Sequence, residues 1–533
     1  MQLLSLGIDI VFSWIRLFIA LALSVLFSIF VGIKAATSRR AEKVILPSLD
    51  ILQTIPILGF FPVVIYLIVF AFPGFIGINI AVIFLIFTSM VWNISFGVYE
   101  AVKAIPEDIL AIAKLNRFSK FRMLKEVYIP ASIPRMSYQI TISWSVGLFY
   151  LVTSEIFSTG NAAFSVKRGI GVAIAHLSLS NVGAYVFALA LFVVAVVLTR
   201  IFFLVPFATF SERFSFKEDV TGARRSRILR FYSKVYSHVK RLGAGIASAL
   251  HNAEGRARTA KPHGRQELNR IRRARTAPES LRHITAKAVA ALSAALAVLV
   301  ILAIVWSGEL GSAEFVWEAL LASFARVWLI YAISVAVALP LGIAIGKSAK
   351  AFEPVMSTLQ VISSVPATLL LPAIVLLVYS LPFRGELVAF AVIFLAMIWY
   401  LLFSIIGGMK TLPKQLVEAK NIMKLGRISA WKNLYIPAVM PAFITGSITA
   451  IGGAWNSLIV AEYFTVQLSS GKSVVLTQVG TGIGKVIDQA VFSGNMLLTG
   501  MALASLTIVV VLINRFVWQR LYNKVTSRYR MEV

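Results

Sequence analysis

Glycine-rich turns that end in Lys followed by Ser or Thr cradle nucleotide phosphates, and this sequence approaches that pattern three times. GIAIGKS (342–348) is one residue too short between its glycines. SSGKS (469–473) has Val466 where the first glycine is required, and GTGIGKV (480–486) puts Val486 after Lys485. None completes a phosphate loop, so no ATP site is expected in this chain. The chain has no cysteine, which excludes a disulfide, a thiolate nucleophile and any Cys-based metal centre. His238, His251, His263 and His283 all fall in one polar basic stretch, so no metal site and no cofactor are expected. No paired carboxylates and no Ser/His/Asp arrangement stand out, and the chain is not expected to be an enzyme. The remaining candidates are ionisable residues beside apolar runs, chiefly Arg16, Glu155, Arg326 and Glu462.

The elements that carry them are apolar. The 533 residues are 59% hydrophobic and only 14% charged, where a soluble protein has about a quarter charged. Mean hydropathy is +0.85. With about 20 apolar residues to a membrane span, the runs predict about eleven helices. They lie near 13–36, 47–71, 77–99, 131–155, 181–206, 287–307, 322–346, 355–381, 385–408, 438–462 and 493–518. The first run is long and is followed, not preceded, by basic residues, so it is not read as a cleaved signal. Lys34, Arg39, Arg40 and Lys43 follow it, which places the N-terminus outside by the positive-inside rule. Alternation then puts 100–130, 207–286, 347–354, 409–437 and the C-terminal tail in the cytoplasm, and each is basic. Residues 211–287 carry 19 Lys or Arg against 6 Asp or Glu. That stretch reads as a cytoplasmic linker against anionic headgroups, not a nucleic-acid tail, because it lacks stacking aromatics.

The chain repeats itself. AVIFL occurs at 81–85 and again at 391–395, and Ser13, Arg16, Pro56 and Pro62 recur as Ser323, Arg326, Pro366 and Pro372, all at a shift of 310. YIPA at 128–131 recurs at 435–438, and Glu155 and Phe157 recur as Glu462 and Phe464, at a shift of 307. The expected architecture is all-α and polytopic, with two five-helix units and one extra helix at 287–307 that gives both units the same orientation. The expected domains are 1–210, a linker over 211–286, and 287–533.

Within each unit the longest loop is cytoplasmic: AIPEDILAIAKLNRFSKFRMLKEVYIPASIP (104–134) and TLPKQLVEAKNIMKLGRISAWKNLYIPAVMP (411–441). Each opens with a proline suited to a first helical turn, Pro106 or Pro413. Ile109, Ile112, Ala113 and Leu115 are spaced for one apolar face, which needs a partner groove or the membrane surface. These loops resemble the EAA loop of ATP-binding-cassette (ABC) importer permeases, whose pattern is Glu-Ala-Ala, a Gly some residues on, then Ile-x-Leu-Pro. Glu418, Ala419 and Pro437 sit at the family spacing, with Ile436 where the pattern has Leu, and Pro130 ends the first loop. The first loop has Ala111 where Glu is expected, with Glu107 and Asp108 nearby. At the family Gly stand Arg117 and Lys424, with Ser119 and Gly426 two residues later. SFARVWLIYAISVAVALPLGIAIGKS (323–348) and GGAWNSLIVAEYF (452–464) are similar to permeases of the nitrate, sulfonate and taurine importers.

The resemblance implies a type I importer permease in which two copies are fused. It implies coupling to two separate P-loop ATPases through both loops, with a small anion or organic anion delivered by an external binding protein. It implies a multi-pass protein of the plasma membrane, with linker and C-terminus cytoplasmic. Glu155 and Glu462 are then candidates for a symmetric gate, for a contact to the binding protein, or for helix ends reaching water. Arg16 and Arg326 are expected to snorkel. Trp455 and Asn456 are candidates for the path lining, with Leu148 at the position equivalent to Trp455. The alternative reading is an ion-gradient-driven transporter with parallel repeats.

Overall fold

Proline placement decides where the apolar runs break. Pro56 and Pro366 hold extended backbone (ψ 102° and 136°), and a residue preceding proline is driven out of the helical region. Each run expected as one span, 47–71 and 355–381, is therefore two helices meeting at a proline. The computed structural model describes residues 2–54, 56–157, 166–214, 310–348, 352–410, 412, 414–424, 426–467 and 473–528. The expected span 287–307, nearly all of the linker, and Pro413 lie outside the described residues.

The first half runs α1 (Gln2–Thr37), α2 (Arg39–Thr54), α3 (Ile57–Ala71), α4 (Phe75–Lys103), α5 (Glu107–Leu115), α6 (Lys120–Met123) and α7 (Ile129–Phe157). It continues through α8 (Ile170–Ser180), α9 (Val182–Thr199) and α10 (Val205–Ser211). The second half repeats the order. It has α11 (Leu310–Lys347), α12 (Phe352–Ser363), α13 (Ala367–Val378), α14 (Arg384–Lys410), α15 (Lys414–Ile422), α16 (Arg427–Ala430) and α17 (Ile436–Glu462). A hairpin of β1 (Tyr463–Gln467) and β2 (Ser473–Gln478) follows, then α18 (Ile483–Phe492), α19 (Met496–Ile513) and α20 (Gln519–Arg528). The two antiparallel strands pair Tyr463 with Gln478 and Gln467 with Ser473, a small exception to an otherwise helical fold. Seven helices among the described residues are long and apolar enough to cross a membrane, and α3 and α13 are shorter apolar helices.

Each half packs in the same order: α4 lies between α1 and α7, and α14 lies between α11 and α17. The halves are joined by exchange. From the first half, α3 packs on α17 and α18, while from the second α13 packs on α7 and α8. Likewise α2 touches α19, and α12 touches α9. The contacts carry polar ties: the Tyr185 hydroxyl donates to the Leu369 carbonyl at 2.8 Å, and the Ile57 N–H donates to Asn456 Oδ1 at 2.9 Å. One continuous core results, centred on Leu85, Ile86, Met90, Leu148 and Leu151 in one half and Val392, Ile393, Leu401 and Leu458 in the other.

Candidate functional site

Three regions carry polar chemistry: two occur once in each half, and the third lies between the halves. The first is the loop pair. Helix α5 opens with Glu107 and Asp108 exposed in its first turn, where carboxylates favour the positive helix end. Pro106 precedes that turn. Helix α15 carries Glu418 exposed on its surface, and Ala419 follows it within the helix. After each helix the chain turns through a residue of positive φ, Arg117 at 51° and Lys424 at 48°. These are the two positions where the resembled pattern has Gly. The bend is thus present without glycine, at a cost of about 1–2 kcal/mol for a side chain in that region. Ser119 then caps α6, its hydroxyl accepting from the Arg122 N–H at 3.2 Å, while the Gly426 carbonyl accepts from Ala430 N–H at 2.9 Å in the other loop.

Both loops rejoin the bundle through a π-helical turn, Leu124–Tyr128 and Trp431–Tyr435, directly before Ile129-Pro130 and Ile436-Pro437. Proline cannot donate to the ladder and clashes with the carbonyl four residues back. A wider turn, closed by the Ile129 N–H on the Leu124 carbonyl and by Ile436 on Trp431, accommodates it. The single apolar face expected for α5 is in fact divided. Ala113 is buried and Ile109 and Leu110 pack on the core, whereas Ile112 and Leu115 point outward. Leu115 is 82% exposed and its equivalent Ile422 81%, and Phe121 and its equivalent Ile428 are 72% and 83% exposed. Two matched apolar knobs therefore project from each loop.

The second region lies at the opposite ends of α7 and α17. Glu155 and Glu462 are fully buried. Glu155 accepts from Arg16 Nη1 at 2.6 Å, Ser13 Oγ at 2.7 Å and the Gly171 N–H at 2.9 Å. Arg16 also donates to Asn79 Oδ1 and to the Arg168 carbonyl, both at 2.7 Å. In the second half Glu462 pairs with Arg326 and accepts from Ser323 and from the Gly484 N–H at 2.7 Å. Arg326 reaches Glu386 at 2.8 Å and the Thr481 carbonyl at 3.1 Å. Arg16 is therefore buried and does not snorkel, and Arg326 is nearly so. Neither glutamate is a helix end reaching water.

The glycines at 169 and 482 explain how a helix start comes so near a carboxylate. A Cβ on Gly169 would fall 2.5 Å from the Glu155 carboxyl carbon, and one on Gly482 would fall 2.5 Å from that of Glu462. The stretch GTGIGKV, rejected as a phosphate loop, thus cradles an anion after all: the chain's own glutamate at the start of α18.

The third region is a cavity of about 1460 Å³ between the halves. It runs along α7 from Tyr138 to Tyr150 and along α17 from Ala438 to Ser457, with Trp92, Asn93, Trp399 and Tyr400 from α4 and α14. Trp455 and Asn456 line it, and so do Trp144 and Phe149, whereas Leu148 is not among the lining residues. Glu155 and Glu462 do not line it either. Beyond the cavity, residues 151–156 and 458–462 are buried without interruption, so the cavity lining lies toward the loop side and stops short of the glutamates. Among the described lining residues Arg200 alone is charged, and it donates to Gln360 from the other half. Arg200 was not singled out from the sequence, although a lone charge inside the apolar run 181–206 was a usable signal. The paired Gly-Ile-Gly at 169–171 and 482–484, each following its glutamate, was the other.

Comparison with known proteins agrees with this duplicated plan. The nitrate import permease protein NrtB of Leptolyngbya laminosa is 29% identical over 180 residues, 34% of this chain and 58% of that protein. The bicarbonate transport system permease protein CmpB of Synechocystis is 29% identical over 149 residues, 27% of this chain and 50% of its own. The taurine transport system permease protein TauC of Escherichia coli is 24% identical over 196 residues, 37% and 64% of the two chains. The matched segment thus spans about half the length of these relatives or somewhat more. Residues 24–208 and 338–523 each match one and the same family. This multi-pass membrane protein belongs to the family of binding-protein-dependent transport system inner membrane components, and it carries that domain twice in one chain.

Proposed function

We propose that this chain is the complete membrane path of an ATP-driven ABC importer for a small anion or organic anion, with both permease copies fused. The observation that carries the reading is the matched pair of loops, each projecting two exposed apolar side chains at equivalent positions. Exposed apolar groups on a cytoplasmic helix call for a partner groove. Two such loops fit two copies of an ATPase subunit. In this reading Pro106, Glu107, Asp108, Ala113, Arg117, Ser119 and Pro130, with Pro413, Glu418, Ala419, Lys424, Gly426 and Pro437, shape the two coupling helices and their return to the bundle. An extracytoplasmic binding protein delivers substrate at the glutamate side.

The domains are 1–210, the basic linker 211–286 and 287–533, with the N-terminus outside and linker and C-terminus in the cytoplasm. The cavity on the loop side, closed toward the glutamates, fits the inward-facing stage of alternating access. ATP binding would draw the loops together and rock the halves so that the closed end parts. Trp455 and Asn456 serve as path lining, and Glu155 and Glu462 as the clamps of the closed end. The named substrates of the relatives support a cargo with an anionic group: nitrate and bicarbonate are anions, and taurine carries a sulfonate beside its ammonium. The test is the double variant Leu115→Arg with Ile422→Arg, purified from its native membranes. Loss of a co-purifying ATPase and of uptake, with unchanged thermal unfolding of the chain, is expected. Retention of both would overturn the coupling role.

A further inference from the structure

Three tyrosines tie one helix of the bundle to another through the hydroxyl. Tyr99 donates to Glu42 Oε1 at 2.5 Å, Tyr185 to the Leu369 carbonyl at 2.8 Å and Tyr331 to Ser447 Oγ at 2.8 Å. Two tyrosines of the cavity wall do not. Tyr150 on α7 is only 4% exposed and Tyr400 on α14 is half-buried, and each lines the cavity from its own half. Neither hydroxyl has a hydrogen-bond partner among the described residues, and neither oxygen is walled off, so both open on the cavity. Tyr150 and Tyr400 lie within electrostatic reach of each other. Gly453 on α17 gives the Tyr400 ring its seat, since a Cβ there would fall 3.0 Å from Cε2. Polar groups this deep in a protein are ordinarily paired, so two converging hydroxyls left open point to a ligand that accepts from them.

We propose that Tyr150 and Tyr400 form an oxyanion subsite that takes the sulfonate or carboxylate head of a small organic anion. The inference rests on the anion-import reading and names the groups that touch the cargo. A phenol hydroxyl donates to an oxyanion through a short, charge-assisted bond. No carboxylate occurs among the described lining residues, so a cationic group would enter without a counter-charge. The wall around the hydroxyls is aromatic: Phe149 stands edge-on to Tyr150 with ring centres 5.4 Å apart, and Trp399 and Trp455 also line the cavity. Such surfaces suit the apolar body behind the head. The counterparts of Tyr150 and Tyr400 in the repeat are Ser457 and Met90, so the subsite occurs once and is built from both halves. Neutral donors hold the head without a fixed full charge, which leaves release easy, the balance a conduit needs.

Saturation-transfer difference NMR on the full chain in neutral-lipid nanodiscs reads contact with ethanesulfonate, and with tetramethylammonium as the cationic control. Ethanesulfonate should give a signal above that of empty nanodiscs, and tetramethylammonium should not. Tyr150→Phe and Tyr400→Phe remove one oxygen each and keep the ring, and each should weaken ethanesulfonate about ten-fold. Tyr185→Phe should leave it unchanged. The unfolding temperature should respond the other way: Tyr185→Phe lowers it, because that hydroxyl has a partner, and Tyr150→Phe does not. Ethanesulfonate binding unaltered in both cavity variants, or a Tyr150→Phe chain destabilised as much as Tyr185→Phe, would overturn the subsite while leaving the import reading intact. A wild type with no ethanesulfonate signal would also overturn the subsite, and one that takes tetramethylammonium instead would overturn the anionic cargo with it. ATPase association, measured separately, would still decide the coupling role.

Discussion

The two halves share a frame and differ in what they show to the path. Their loops agree down to backbone detail: Arg117 and Lys424 take the same left-handed turn, and Leu115 and Ile422 project alike. Their clamps agree in the Ser–Arg–Glu–Gly core but not in the third partner of the arginine. Asn79 serves in the first half, and Glu386 in the second, one turn earlier on the equivalent helix. Their cavity walls agree least: Arg200 stands against Asn514, Trp144 against Ile451, and Phe149 against Asn456. On the proposed function the loops face two like partners and stay alike, whereas the walls face a single cargo and are free to diverge once both are encoded in one chain.

The largest expected effect tests the clamps. Removing one member of a buried ion pair leaves a charge without its partner and costs about 3–5 kcal/mol. Arg16→Ala or Glu155→Ala should destabilise the first half by that order, seen as a large fall in the unfolding temperature in detergent. Arg326→Ala should cost a similar amount because it strips Glu462, whereas Glu386→Gln, on a half-exposed side chain, should cost under about 1 kcal/mol. Equal losses for Glu386→Gln and Glu462→Gln would contradict the assignment of Glu462 as the clamp.

Next in size, Leu115→Arg alone and Ile422→Arg alone should each weaken ATPase capture to the same degree, measured by co-purification. A loss confined to one of them would break the equivalence of the loops. Smaller still, Arg117→Gly and Lys424→Gly should each relieve the positive-φ strain and raise stability by up to about 1 kcal/mol, less the added chain entropy of glycine.

A pH dependence separate from these belongs to Asp488 on α18, whose burial pushes its carboxyl up to about 7. Between the ordinary aspartate value of 3.8 and about 7 the folded chain holds a proton that the unfolded chain has released. Stability should therefore fall as pH rises through that window and level off above it. Asp488→Asn should flatten the pH dependence of the unfolding temperature, and an unchanged slope would remove Asp488 as its source.

Much of the frame was legible because duplication and apolar runs are written in residue order. The shift of 310 paired α1 with α11 and α4 with α14, and the shift of 307 paired α7 with α17. The breaks at Pro56 and Pro366 were less visible, since apolar residues continue across them and hydropathy does not register backbone direction. The clamps are half legible: Arg16, Glu155, Arg326 and Glu462 stand out in the sequence, the glutamates as a gate or helix ends and the arginines as snorkelling charges, but nothing in residue order pairs arginine with glutamate. Arg16 and Glu155 are 139 positions apart in the chain and 2.6 Å apart in space, and only packing brings them together. The division of the α5 face between core and exterior likewise depends on how that helix is seated, which 3.6-residue periodicity does not specify.

The central claim is that one chain supplies a whole two-sided path and engages two ATPases. It is tested most directly by the native mass of the complex taken from its own membranes in mild detergent. One 58.4 kDa chain with two ATPase subunits is the expected composition. Two copies of this chain with two ATPases, or the chain alone where other membrane complexes survive intact, would contradict it.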